Sequence, residues 1–167
     1  MKKLNFGCGK NDIREGWYNV DIQKHPKIDK SFDFNKFPYP FKDNTFSYIY
    51  SDNVFEHLDN PKKVLFELYR ISKNNGIIEI IVPYYRSMAA FGFDHKHFFT
   101  STTFHTLLHP EKHDHFKEVQ KKIEIIEQNL IPSKLGKLIP SKKLRWLASL
   151  VFGEIICFVH IKLKVVK

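Results

Sequence analysis

Three residues near the start of the chain, Gly7, Gly9 and Asp21, have the types and spacing of a nucleoside-binding turn. The two glycines lie in Leu4-Asn5-Phe6-Gly7-Cys8-Gly9, which reads as a short buried strand running into a turn. Glycine there lets the backbone take positive φ and approach a ligand with no Cβ in the way. Asp21 ends Trp17-Tyr18-Asn19-Val20-Asp21, a second strand, and a carboxylate at a strand tip can accept hydrogen bonds from a ribose diol. A dinucleotide fingerprint would need a third glycine and an acid roughly 20 residues on. Position 12 is Asp instead, and the gap between Gly9 and Asp21 has room for a stub of helix at most. The turn therefore suits a nucleoside without a phosphate.

S-adenosylmethionine meets those terms, because its adenosine needs the acid while its sulfonium and amino acid ends need only backbone and polar contacts. At these residues the sequence resembles the class I S-adenosylmethionine-dependent methyltransferases, and most closely the short small-molecule type. That type has a compressed first motif, L-N-x-G-C-G followed by G-W-x-N-V-D. The resemblance continues through Asp33 to Phe46, Ser51 to Leu58 and Gly76 to Pro83, roughly the first 100 residues. It implies a cofactor site made by Phe6, Gly7, Cys8, Gly9, Asp21, Ile22, Asp33, Phe34, Ser51, Asp52 and Asn53. In that scheme Asp33 accepts from the adenine amine, the backbone of Phe34 lies at the ring edge, and Ser51 to Asn53 line the methionine end.

The elements that would hold these residues alternate between strand and helix. Ile28 to Phe34 reads as a third strand, and Phe37 to Phe46 as a proline-stiffened loop with turn chemistry at Asp43 and Asn44. Phe46 to Ser51, aromatic and β-branched, belongs at the centre of a sheet. Asn60-Pro61 opens a helix whose Val64, Leu65, Leu68 and Ile71 form one apolar stripe. Asn75-Gly76 closes it and leads into Ile77 to Val82, a nearly continuous apolar strand expected to be covered on both faces. Repeated strand and helix in this order indicate parallel βαβ units.

Past Pro83 the pattern changes. Tyr84 to Phe99 is an irregular aromatic lid, and Asp94-His95-Lys96-His97-Phe98-Phe99-Thr100 inside it resembles the family's entry to the next helix, D-x-x-H-x-x-x-[FW]-T. A helix over Thr103 to Leu108, a sixth strand over Phe116 to Ile126 and a seventh over Ile155 to Val166 complete the reading. The seventh, antiparallel in this family, would turn Phe158, Ile161, Leu163 and Val165 to the core. The fold expected is a Rossmann-like three-layer α/β sandwich around a mostly parallel seven-stranded sheet with an antiparallel last strand. It would be one domain, residues 1–167, with a cofactor half (1–83) and a lid and substrate half (84–167).

Composition narrows the class. At 167 residues, 43% hydrophobic with sixteen Phe, the chain can bury a full core. Two cysteines imply no disulfide framework, and no apolar leader follows Met1, so a reducing, cytoplasmic setting is expected. The formal charge of +9 reads first as a solvated lysine coat. Residues 132–150, however, interleave Lys134, Lys137, Lys142, Lys143 and Arg145 with leucines and Trp146, a segment able to lie on an anionic membrane or a lipid-like substrate.

Methyl transfer from a sulfonium needs alignment more than activation, with a base if an oxygen or nitrogen must lose a proton. The candidates are His95, His97, Asp94 and His57. His95 and His97, two apart on extended backbone, would face the cleft together. Glu56 reads as a residue pinning local loops. A cation held by Asp94 and the two histidines lacks identifiable further ligands, so no metal is expected. The partner expected is a small-molecule methyl acceptor, a sugar or lipid-like compound among the open classes, with peripheral contact to an anionic membrane and no nucleic acid. The rival is a non-catalytic scaffold of the same fold whose basic face docks on a membrane or a protein.

Overall fold

The structure, a computed structural model, describes residues 2–108 and 123–167. Seven strands form one sheet: β1 (Lys3–Phe6), β2 (Tyr18–Asp21), β3 (Lys30–Ser31), β4 (Phe46–Asp52), β5 (Ser72–Pro83), β6 (Ile123–Pro132) and β7 (Ile156–Val165). Their order is β3-β2-β1-β4-β5-β7-β6, with β7 antiparallel to both neighbours and β1 to β5 parallel. This is the Rossmann-like, mostly parallel seven-stranded sheet with an antiparallel last strand that the sequence predicts. Among the described residues the α-helices are α1 (Pro61–Ile71), α2 (Thr103–Leu108) and α3 (Lys142–Val151).

The register explains the core. Ile49 pairs with Ile78, Ile80 with Ile161 and Val82 with Val159, so these side chains share one face with Leu4, Phe6, Val20, Leu163 and Val165. All of them are fully buried. The stripe of α1, Val64, Leu65, Leu68 and Ile71, belongs to the same core, and Asn60 caps the helix as expected, its side chain accepting from the Lys63 amide at 3.0 Å. The opposite face is covered unevenly. Ile77, Glu79 and Ile81 are only half-buried, so the double coverage expected for this strand is incomplete. Phe158 lies out of phase with the core side of β7, which is Val159, Ile161, Leu163 and Val165.

Further boundaries differ from the sequence reading, among them the end of α1, which falls at Ile71 with β5 starting at Ser72, ahead of the expected break at Asn75-Gly76. No helix stub follows β1; residues 7 to 17 are turns, and the strand expected over Ile28 to Phe34 shortens to Lys30–Ser31. The reason for the missing stub is a pair of buried asparagines. Asn5 Nδ2 donates to the Asp12 carbonyl and, at 3.1 Å, to Asn19 Oδ1, which also accepts from the Arg14 amide at 2.9 Å. Asn19 Nδ2 donates back to the Arg14 and Trp17 carbonyls. Side-chain amides thus satisfy the loop backbone that a helix would have satisfied internally. Finally, β6 runs to Pro132, later than expected, and the earlier part of the predicted strand, with His113-Asp114-His115, lies outside the described residues.

Candidate functional site

The order of the sheet reverses direction at β1, which has β2 on one side and β4 on the other. In an open α/β sheet ligands bind outside the carboxyl ends of the strands at such a switch point. A cavity of about 360 Å³ lies there, lined by Gly9, Asp21, Ile22, Gln23, Asp33, Phe34, Asn35, Asn53, Val54, His57, Leu58 and Asp94.

The turn after β1 is built for close approach. Gly7 has φ of +80°, and its amide and that of Cys8 both donate to the Val20 carbonyl, at 2.9 and 3.0 Å. A Cβ on Gly7 would stand 2.2 Å from Val54 Cγ2, so no side chain fits. Gly9, at φ +53°, has open space where its Cβ would be. Its amide donates to Asp21 Oδ2 at 2.8 Å, and Asp21 Oδ1 accepts from the Gln23 amide at 2.9 Å. Each carboxylate oxygen keeps a lone pair for a ligand hydroxyl. Asp33 Oδ1 accepts from the Asn35 amide at 2.9 Å, and Phe34 stacks on Phe6 with ring centroids 3.9 Å apart. Phe6 therefore supports the wall from the core. The Cys8 thiol is buried, and burial together with the Asp21 charge pushes its pKa up to about 11, so it is held protonated.

Not all of the expected cofactor residues reach the cavity. Ser51 points into the core face, fully buried with its hydroxyl unpartnered. Asp52 is on the other face, accepting from the Tyr50 hydroxyl at 3.0 Å and from Asn53 Nδ2 at 2.9 Å. Only Asn53 of that trio lines the cavity, because a strand sends alternate side chains to opposite faces and its φ of +52° turns the chain at the strand end.

The residues expected to do chemistry divide in the same way. After β4 a single 3-10 turn, Phe55–His57, receives the lid: the Lys96 and His97 amides donate to the Glu56 carbonyl at 2.7 and 3.3 Å. His57 Nδ1 lies 3.1 Å from Asp94 Oδ2, and the His57 and His95 rings meet edge to face at 4.6 Å. His97 turns away, its Nε2 2.9 Å from the Leu58 carbonyl, and lines a separate apolar cavity of about 470 Å³ with Phe98, Phe99 and Phe104. His95 and His97 thus do not face the cofactor cleft together.

Glu56 is the residue the sequence reading undervalued. It is 1% exposed, and neither carboxylate oxygen has a hydrogen-bond partner. Burial, reinforced by the charges of Asp52 and Asp94, pushes its pKa up to about 7. The available signal was a charged residue between Phe55 and Leu58, both core residues in an element too short to expose one side.

The cavity fits S-adenosylmethionine. It offers two carboxylates, apolar walls and a glycine turn, and the absence of a helix after β1 removes the dipole a pyrophosphate would need. Comparison with known proteins agrees. Residues 8–80 match the family described as "Methyltransferase domain". No curated protein matches the chain in sequence. Among solved structures, an S-adenosylmethionine-dependent methyltransferase from Mesorhizobium loti aligns at 10% identity over 98% of this chain and 90% of its own, with a TM-score of 0.64. The [4+2]-cyclase SpnF aligns at 12% identity over 98% of this chain and 73% of its own, TM-score 0.63. A Haloferax volcanii putative methyltransferase, in complex with the Trm112 methyltransferase activator, aligns at 14% identity over 98% and 81%, TM-score 0.57. At these identities the structural likeness is one of fold. Taken with the matched domain, it shows that residues 8–80 are similar to a methyltransferase domain and that the chain has the fold these S-adenosylmethionine-dependent methyltransferases share.

Proposed function

We propose that the chain methylates an oxygen or nitrogen of a small, lipid-like acceptor presented at an anionic membrane surface. The observation that supports this reading is the outer surface of the lid. The segment that brings Asp94 to the cofactor cavity leaves Met88, Phe91 and Phe93 exposed. They adjoin the end of α3: Arg86 donates to the Val151 carbonyl at 3.2 Å, the Glu154 amide donates to the Arg86 carbonyl, and the Met88 amide donates to the Glu154 carboxylate.

Helix α3 itself buries only Ser149, while Leu144, Trp146, Leu147, Leu150 and Val151 are exposed, followed by Phe152. A helix normally turns such a stripe inward. Lys134, Lys137, Lys142 and Lys143 are exposed around it, and no acidic residue occurs between Glu127 and Glu154. Cations around an apolar helix with a tryptophan match an anionic interface. Among the described residues no helix is long and apolar enough to cross a membrane, so contact would be peripheral.

In this reading Asp21 and Asp33 hold the adenosine, Gly7 and Gly9 admit it, and Asn53 meets the amino acid end. The donor supplies an activated methyl group. His57, with Asp94 beside it, accepts the acceptor's proton, and the lid excludes water. Cys8, held protonated, takes no part as a nucleophile.

Titration calorimetry of the chain with S-adenosylmethionine tests the cofactor assignment, with micromolar binding expected. Absence of binding would favour the scaffold alternative. Co-sedimentation with vesicles of phosphatidylglycerol against phosphatidylcholine tests the surface. Binding to the anionic vesicles is expected, falling as salt is raised and reduced about tenfold by Trp146→Ser with Leu147→Ser. Equal binding by parent and variant would remove the membrane. A patch that instead bound a protein, as the Haloferax volcanii relative binds its activator, would leave both vesicle types bare.

A further inference from the structure

Glu56, His57 and His95 each offer a ligand atom, and these atoms lie within 4.8 Å of one another. The carboxylate is the unusual member. Both its oxygens are buried and without any partner, although a buried carboxylate with no compensating hydrogen bond or charge is costly enough that proteins almost always pair it. His57 Nδ1 is likewise buried with no hydrogen bond, Asp94 lying close by without the alignment for one. His95 is set the other way: its Nδ1 is 3.0 Å from the Ala90 carbonyl. That contact fixes the proton on Nδ1 and leaves the Nε2 lone pair directed elsewhere. A carbonyl holding the distal nitrogen of a histidine is the outer-shell arrangement that metal sites use to orient an imidazole.

From this geometry we infer that Glu56, His57 and His95 form a binding site for a divalent transition metal ion of the zinc class. Two imidazole nitrogens and one carboxylate oxygen are a donor set that zinc accepts with a fourth position open. The ligand atoms of a tetrahedral zinc are roughly 3.4 Å apart, so closing the site requires the side chains to draw in by about an ångström. His95 can supply that movement, because it sits on the lid, outside the regular elements. The site joins two segments far apart in sequence, the turn after β4 and the lid, and His57 with its neighbour Asp94 lies on the cofactor cavity wall. An ion there ties the lid shut over that cavity. A coordinated His57 cannot accept a proton, so in the metal-bound chain Asp94 is the remaining acceptor on that wall. The site holds without the methyl-transfer reading, since it rests on three side chains and no cofactor.

The test uses the whole chain, treated with a chelator and dialysed, without S-adenosylmethionine. Titration with Zn²⁺ is expected to show one saturable equivalent at micromolar affinity or tighter, and Co²⁺ to give the visible absorption of a low-coordinate histidine site. Glu56→Gln and His95→Ala should each weaken Zn²⁺ binding at least about tenfold and abolish the Co²⁺ band. His113→Ala with His115→Ala should change neither. Glu56→Gln, a neutral isostere, decides the matter if His95→Ala does not fold, as judged by circular dichroism. Lack of saturable binding would overturn the site. So would affinity that survives Glu56→Gln, or affinity that disappears only with His113 and His115.

Discussion

Asp21→Ala should weaken S-adenosylmethionine binding by about 2–4 kcal/mol, a loss of roughly thirty- to a thousandfold in affinity, read by titration calorimetry. Two effects combine. A carboxylate accepting from two ribose hydroxyls makes charge-assisted hydrogen bonds, stronger than neutral ones. The same carboxylate accepts from the Gly9 and Gln23 amides, so alanine also releases the glycine turn that shapes the cavity. Asp21→Asn separates the two, since one amide oxygen can still accept from Gly9 while the charge is gone. It should fall between the parent and alanine. Affinity unchanged in Asp21→Ala would remove the ribose assignment, and with it the main support for the site.

The second large effect concerns stability. In metal-free protein the Glu56 carboxyl has its pKa raised from an ordinary value near 4.5 to about 7, chiefly by burial and then by the Asp52 and Asp94 charges. The folded state therefore binds a proton more tightly than the unfolded state. Between about pH 4.5 and pH 7 stability must fall as pH rises, and above pH 7 the ionised group costs about 3 kcal/mol relative to acid conditions. His57 and His95 face the group. Glu56→Gln removes the glutamate's contribution. Its buried amide carries a desolvation cost of its own at every pH, so the readout is the change between pH 5 and pH 8 in urea unfolding. The parent should lose about 2–3 kcal/mol more over that interval than the variant. Parallel curves would show that the carboxylate is paired or solvated in solution.

The two effects concern one corner of the molecule that the sequence shows in pieces. An unpartnered carboxylate in a folded core is tolerated where it has work to do, and a site that stabilises its ionised form would turn the cost into binding selectivity. The same residue then accounts for a pH-sensitive metal-free state and for a metal affinity.

Much of this was legible in the chain. Gly7, Gly9 and Asp21 specify the tight turn after β1 because positive φ, close approach and a strand-end carboxylate are local requirements, written within a short stretch of chain. The cap at Asn60, Pro61 and the Val64 to Ile71 stripe gave α1 for the same reason, since capping and helical periodicity act within a few residues. The alternation of apolar strands with one strong helix was enough to indicate the parallel sheet. What no local pattern could decide is which side chains meet. The asparagines at 5 and 19 replace a helix by reaching across two paired strands, and they carry no signal until those strands are placed side by side. Ser51 and Asp52 leave the cavity because the strand alternation sends them to opposite faces, whose identity is fixed only by the pairing of β4 with β1 and β5. His95 and His97 separate because the lid docks its backbone on the Glu56 carbonyl, which turns one ring towards Glu56 and the other into a different cavity. The sequence by itself determined the class of fold and the turn after β1, through interactions short in chain length. The grouping of Glu56 with His57, His95 and Asp94 was decided by tertiary structure alone, because it depends on a contact between the turn after β4 and the lid across some forty residues of intervening chain.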